Sequence, residues 1–92
     1  MTAANDACRI DIWLWRARFF KTRGIAQRFV EEGRVRLTRA GLETRLDKPS
    51  RTVRADDILV FAVGARLVAV RVVDLGERRG PAGEAQTLYA PL

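Results

Sequence analysis

The first regular pattern of apolar positions begins at Ile10. Ile10, Trp13, Leu14, Ala17 and Phe20 recur at intervals of three and four, the spacing of one buried helix face, and predict a helix running to about Phe20. Asp11 falls in its first turn, where a carboxylate can cap the helix or suit its dipole. Arg16 lies on the opposite side, with Arg9 and Arg18 near the edges. Lys21-Thr22-Arg23 breaks the pattern, and Thr22 is a good N-cap for a second helix with Ile25, Ala26, Phe29 and Val30 facing inward. Gly33, directly after Glu31-Glu32, fits the left-handed position that ends a helix.

Beyond Gly33 the period changes to two. Val35 and Leu37 alternate with Arg34, Arg36 and Arg39, as in a half-buried strand with a charged outer face. Residues 40–51 read as a loop, with a turn at Ala40-Gly41 and an extended residue before Pro49. A short strand at 52–54 and a turn at 55–57 lead to the strongest strands, Ile58 to Val63 and Arg66 to Val73. Gly64-Ala65 between them suits a two-residue hairpin with glycine first. Glu77 to Glu84 reads as a polar loop, and 87–90 as a last strand. The expected organisation is a flexible segment over 1–8 and one domain over 9–92, with the helical hairpin and first strands in 9–54 and the remaining strands in 55–92.

Composition narrows the function. Ninety-two residues, 48% hydrophobic and 30% charged, suit a small folded domain with a modest core. No apolar run approaches a membrane span, and Met1 to Asp6 lacks the pattern of a signal peptide, so the expected location is cytoplasmic. Histidine is absent and Cys8 is the only cysteine, which leaves no basis for triad chemistry, a zinc site or a disulfide; no enzyme activity and no cofactor are expected.

Charge then points to a partner. The net charge is +6, and 15 of the 17 cations are arginine, whose planar fork matches phosphate oxygens and stacks on bases. The excess is localised, since residues 1–54 carry a balance of +7 and residues 55–92 one of −1. Lys21 and Arg23 flank a helix N-terminus whose free amides attract anions, with Gln27 and Arg28 further along the same helix. Arg34, Arg36 and Arg39 form a second cluster on the next strand, with Lys48 and Arg51 in the loop beyond. Residues of this kind are more often a solvated helix face. The second cluster and the scarcity of acids over 9–54 favour nucleic acid. Trp15 and Phe19 lie on a different side of the first helix from Trp13 and Phe20; coverage by the C-terminal strands is favoured over stacking on an unpaired base. Asp56-Asp57 reads as a turn.

Arg9-Ile10-Asp11, Leu14, Lys21-Thr22-Arg23, Ala26, Val30, Gly33-Arg34-Val35, Lys48-Pro49-Ser50 and Asp57-Ile58 together resemble the RNA-binding domain named after small-subunit ribosomal protein S4. Trp13-Leu14-Trp15 followed by 17–23 is similar to its ribosome-associated fifteen-kilodalton heat-shock branch. The resemblance implies an α+β fold, the alpha-L motif, with two packed helices on a small, largely antiparallel sheet and a C-terminal hairpin. It implies binding of structured ribosomal RNA on the large subunit in a heat-shock or recycling role, with transfer RNA on a stalled subunit as a further partner and neither membrane nor small-molecule substrate. The RNA-binding set expected from the residues and the motif is Arg9, Lys21, Thr22, Arg23, Gln27, Arg28, Arg34, Arg36, Lys48 and Arg51. Two departures from the family stand out: the stretch Thr38 to Leu46 is longer and has Ala40-Gly41 where the family usually has an Asn-Gly turn, so different loop contacts are expected, and the sequence stops at Leu92 where the family tends to continue into a basic helical tail, so that binding should be weaker or differently targeted if the tail contributes to ribosome affinity. Two competing readings are the targeting domain of a pseudouridine synthase or ribosomal RNA methyltransferase, and a protein-interaction module using the apolar hairpin as an edge. The length of the chain argues against the first, because no sequence remains for a catalytic domain.

Overall fold

The computed structural model describes residues 6–92. The chain forms β1 (Cys8–Arg9), α1 (Ile10–Arg16), α2 (Arg23–Glu31), β2 (Val35–Arg39), β3 (Leu42–Leu46), β4 (Thr52–Val53), β5 (Ile58–Val63), β6 (Arg66–Val72), α3 (Ala82–Ala85) and β7 (Tyr89–Pro91), with a 3-10 turn over Gln86–Leu88. One sheet runs in the order β3-β2-β5-β6-β7 with every neighbour antiparallel, and β1 pairs with β4 apart from it. This is the α+β arrangement expected of the motif. Of the segment expected to be flexible, residues 1–5 lie outside the described residues, while Cys8 is held in β1 opposite Val53.

The core lies between the two helices and one face of the sheet. Trp13, Leu14, Ile10, Ala26 and Val30 are fully buried, as are Val35 and Leu59 on the strands. Phe61 of β5 is the hub, with Phe19, Phe20 and Phe29 ringed about it at centroid distances of 5.3, 6.2 and 6.0 Å. Phe19 also meets Tyr89 at 4.7 Å, so the C-terminal strand does cover it. Trp15 is half-buried beneath Arg79, whose guanidinium lies 5.8 Å from the ring centroid and donates to the Trp15 carbonyl. Ile25, expected to face inward, is 40% exposed at the start of α2.

Helix α1 stops at Arg16, short of the expected Phe20. Arg18 adopts a left-handed backbone (φ 66°), the Phe19 amide reaches back to the Leu14 carbonyl (3.1 Å), and the Arg18 amide to that of Trp15 (3.1 Å). This is a Schellman end with arginine where glycine is usual, so the sequence carried no stop signal. Helix α2 follows expectation at both ends: Thr22 Oγ1 accepts from the Ile25 amide at 3.1 Å, and Gly33 takes φ 72°. The segment 40–51 is not simply a loop, because Ala40 and Gly41 both take positive φ (52° and 78°) and fold β3 back along β2. Two left-handed residues make the primed turn that matches strand twist. The Glu77–Glu84 loop likewise gives way to a short helix at Ala82.

Candidate RNA interface

All ten residues expected to contact RNA are exposed. They form groups along and around α2. At its start, Thr22 satisfies the Ile25 amide, which leaves the amides of Arg23 and Gly24 at the open end of the helix between the side chains of Lys21 and Arg23. Neither Lys21 nor Arg23 has a carboxylate partner among the described residues. Arg23 and Gln27 share one flank of the helix, whereas Arg28, about 140° round from Arg23 at 100° per residue, faces a different way. Sequence adjacency had drawn these cations into one patch, and helical geometry spreads them.

The β1–β4 seam gathers a second group. Arg9 pairs with Thr52 in register, and the Ile10 amide donates to the Arg51 carbonyl at 2.8 Å. The Arg51 amide donates in turn to Lys48. Arg9, Lys48 and Arg51 therefore meet at the head of α1, although they are some forty residues apart in sequence. Arg9 is bound in a fork by the buried Asp11 at 2.9 and 3.1 Å, which fixes its direction and consumes part of its charge. The charge of Arg23 reaches this seam, acting with that of Arg16 to pull the Cys8 thiol pKa down. Burial is the larger effect and leaves that pKa above its ordinary value, so Cys8 is a protonated thiol at neutral pH.

The third group lies at the other end of α2, about 14 Å away for nine helical residues. Arg34 lies 4.4 Å over the Phe29 ring and pairs with Glu32 at 3.1 Å. Arg36 pairs with Glu43 at 3.1 Å. Both ion pairs are exposed, and such pairs contribute at most about 1 kcal/mol, so a phosphate can displace the carboxylate. Arg45, absent from the expected set, stands directly opposite Arg36 in register, with its guanidinium 3.3 Å from where a Gly33 side chain would begin. The alternation from Leu42 to Leu46 was its only sequence signal, hidden when 40–51 was read as a loop.

One residue of the proposed second cluster must be removed. Arg39 has the parity of Val35 and Leu37, not that of Arg36, and its guanidinium grips both oxygens of the buried Asp57 at 2.9 and 2.7 Å. Asp57 also accepts from the Arg54 amide at 2.8 Å. It is thus the buried partner that holds the strand to the turn, beyond the turn role expected of it. The Asp57 hydrogen bond raises the Arg39 pKa above its ordinary value. Three more basic residues serve structure. Arg16 donates to the Gly76 carbonyl (2.9 Å), Arg18 to that of Gly80 (2.7 Å) and Arg79 to that of Trp15 (3.1 Å).

Two helices on an antiparallel sheet, with cations ranged around the second helix, define an S4-type domain, and the S4 domain family matches residues 8–37. S4 domains are RNA-binding modules rather than catalytic ones. Closer relatives refine this. The chain is 35% identical to a heat shock protein 15 homolog of Haemophilus influenzae, over 94% of its own length and 62% of that protein's. It is 38% identical to heat shock protein 15 of Escherichia coli K12, over 88% of its length and 57% of that protein's. A trimeric structure of Vibrio cholerae Heat Shock Protein 15 superposes with a TM-score of 0.82 at 33% identity, covering 95% of this chain and 83% of that one. The chain belongs to the heat shock protein 15 family, and it spans about three fifths of the length of the curated relatives it matches.

Proposed function

We propose that this chain binds structured ribosomal RNA of the large subunit in the cytoplasm, in a heat-shock or recycling role, and performs no chemistry on it. The carrying observation is that Lys21, Arg23, Arg28, Arg45, Lys48 and Arg51 are exposed and, among the described residues, lack carboxylate partners. Cations left unneutralised beside the open end of a helix suit phosphate. Short helices also offer nothing long enough to read a major groove, whereas A-form RNA is recognised through phosphates and 2′-hydroxyls. A matched RNA hairpin should therefore bind more tightly than the corresponding DNA duplex; equal affinities would refute the reading.

Salt titration of single alanine variants sharpens this test. Replacing Lys21, Arg23, Arg28, Arg34 or Arg36 should weaken RNA binding while changing stability by only about 0.5 kcal/mol. Each lost phosphate contact should make the log-log salt slope shallower by about one. Arg66→Ala removes the same charge from the half without a cation excess and should lose less. Equal losses at all positions would mean that net charge alone drives binding.

The trimeric Vibrio cholerae relative supports a second property, self-association of this chain. Sedimentation of the protein over a range of concentrations tests it, and a monomer throughout would refute it.

A further inference from the structure

The helices cover only one face of the five-stranded sheet. On the other face, register places Arg45 and Arg36 in one row with Val60 and Ala69, and Ala62 beside Leu67 in the next. That face is divided. Its β2–β3 half carries Arg36, Arg45 and Glu43, and its β5–β6 part is aliphatic, made by Val60, Ala62, Leu67 and Ala69, with Arg71 set between Ile58 and Ala90 in the row beyond. None of these four is buried, and Leu67 is 72% exposed. Beside Ala69, the Leu92 amide donates to the Ala69 carbonyl, and Leu92 is itself 71% exposed.

Resting on the self-association proposed above, we propose that the aliphatic half of this outer sheet face is the surface by which one copy docks on another. The trimeric relative points to a second copy, and three observations fit that occupant. The half carries no aromatic ring, so it offers unpaired bases no platform to stack on. The other exposed large apolar side chains, Ile25, Leu42 and Val73, are scattered singly, so this is the contiguous aliphatic surface among the described residues. Finally, copies of a +6 chain repel one another, and their contact must therefore be apolar at its centre with cations at the margin. Arg36 and Arg71 border the aliphatic half in that way.

The test is sedimentation of the nuclease-treated full chain and of two variants. Ala62→Glu combined with Leu67→Asp alters two exposed, cross-strand neighbours, and circular dichroism checks that the fold is kept. Leu42→Asp is the control, equally exposed at 72% on the far strand. Wild type and L42D should assemble alike, and the double variant should dissociate at concentrations at least about tenfold higher than those at which wild type does. A folded double variant that assembles like wild type would overturn the assignment of this face. A wild-type chain monomeric at every concentration would instead refute self-association and the proposal with it, and assembly lost on nuclease treatment would show that RNA bridges the copies. Should the double variant unfold, Leu67→Asp alone carries the test with the same outcomes.

Discussion

Arg36 and Arg39 are three residues apart on one strand and have opposite fates. Arg36 projects from the outer face into an exposed pair with Glu43, and Arg39 turns inward to a carboxylate only 3% exposed. Because Asp57 holds two guanidinium nitrogens and the Arg54 amide, Asp57→Ala leaves part-buried donors without their acceptor and should cost about 1–3 kcal/mol in urea unfolding. Arg39→Ala should likewise lower stability with no change in the salt slope of RNA binding. Arg23→Ala should do the reverse, and a shallower slope for Arg39→Ala would return that residue to the interface. Parity along Val35–Arg39 was open to inspection in the sequence, but the identity of the carboxylate opposite Arg39 was not, since eighteen residues separate the partners. Arg45 was missed for a related reason: only pairing with β2 makes its side of β3 meaningful.

Among the elements, termini and turns depend on residues in uncommon backbone conformations. Thr22 and Gly33 bracket α2 with side-chain and backbone chemistry that any reader of the sequence can recognise. The end of α1 depends on Arg18 tolerating a left-handed φ, a strain offset by its hydrogen bond to Gly80, sixty-two residues away. The β2–β3 turn shows the same tolerance at Ala40 (φ 52°). Asparagine accepts that conformation more readily, so Ala40→Asn should raise stability by about 1 kcal/mol and restore the Asn-Gly pair favoured in such hairpins. A thermal midpoint unchanged by this substitution would show that the turn is already relaxed. Gly41 has open space around it, so its role there is backbone conformation rather than close packing.

Across the described residues, the N-terminal helices and the C-terminal segment are packed and hydrogen-bonded into one body. Trp13 donates to the Asp74 carbonyl at 2.9 Å, and Arg16, Arg18 and Arg79 add ties between α1 and residues 75–80. Leu14, fully buried within this joint core, should cost about 2–5 kcal/mol when replaced by Ala, because a small domain cannot collapse around the cavity. Tryptophan fluorescence and circular dichroism should report that loss as one shifted transition. Separate transitions would mean that the halves unfold independently.

Local chemistry alone settled a good deal. Helix periodicity, the Thr22 cap, the Gly33 stop, the β5–β6 hairpin and the concentration of arginine in the first 54 residues all depend on near neighbours in the chain, which is why composition and spacing were enough to reach two helices, a set of strands and a nucleic-acid partner, while the S4 resemblance supplied RNA and the motif. The tertiary structure decided which charges remain for a ligand. Asp57 claims Arg39, carbonyls of the 75–80 segment claim Arg16 and Arg18, and the β1–β4 pairing brings Arg9 to Arg51. A guanidinium becomes structural or functional according to the acceptor that reaches it, and folding brings that acceptor from a distant part of the chain.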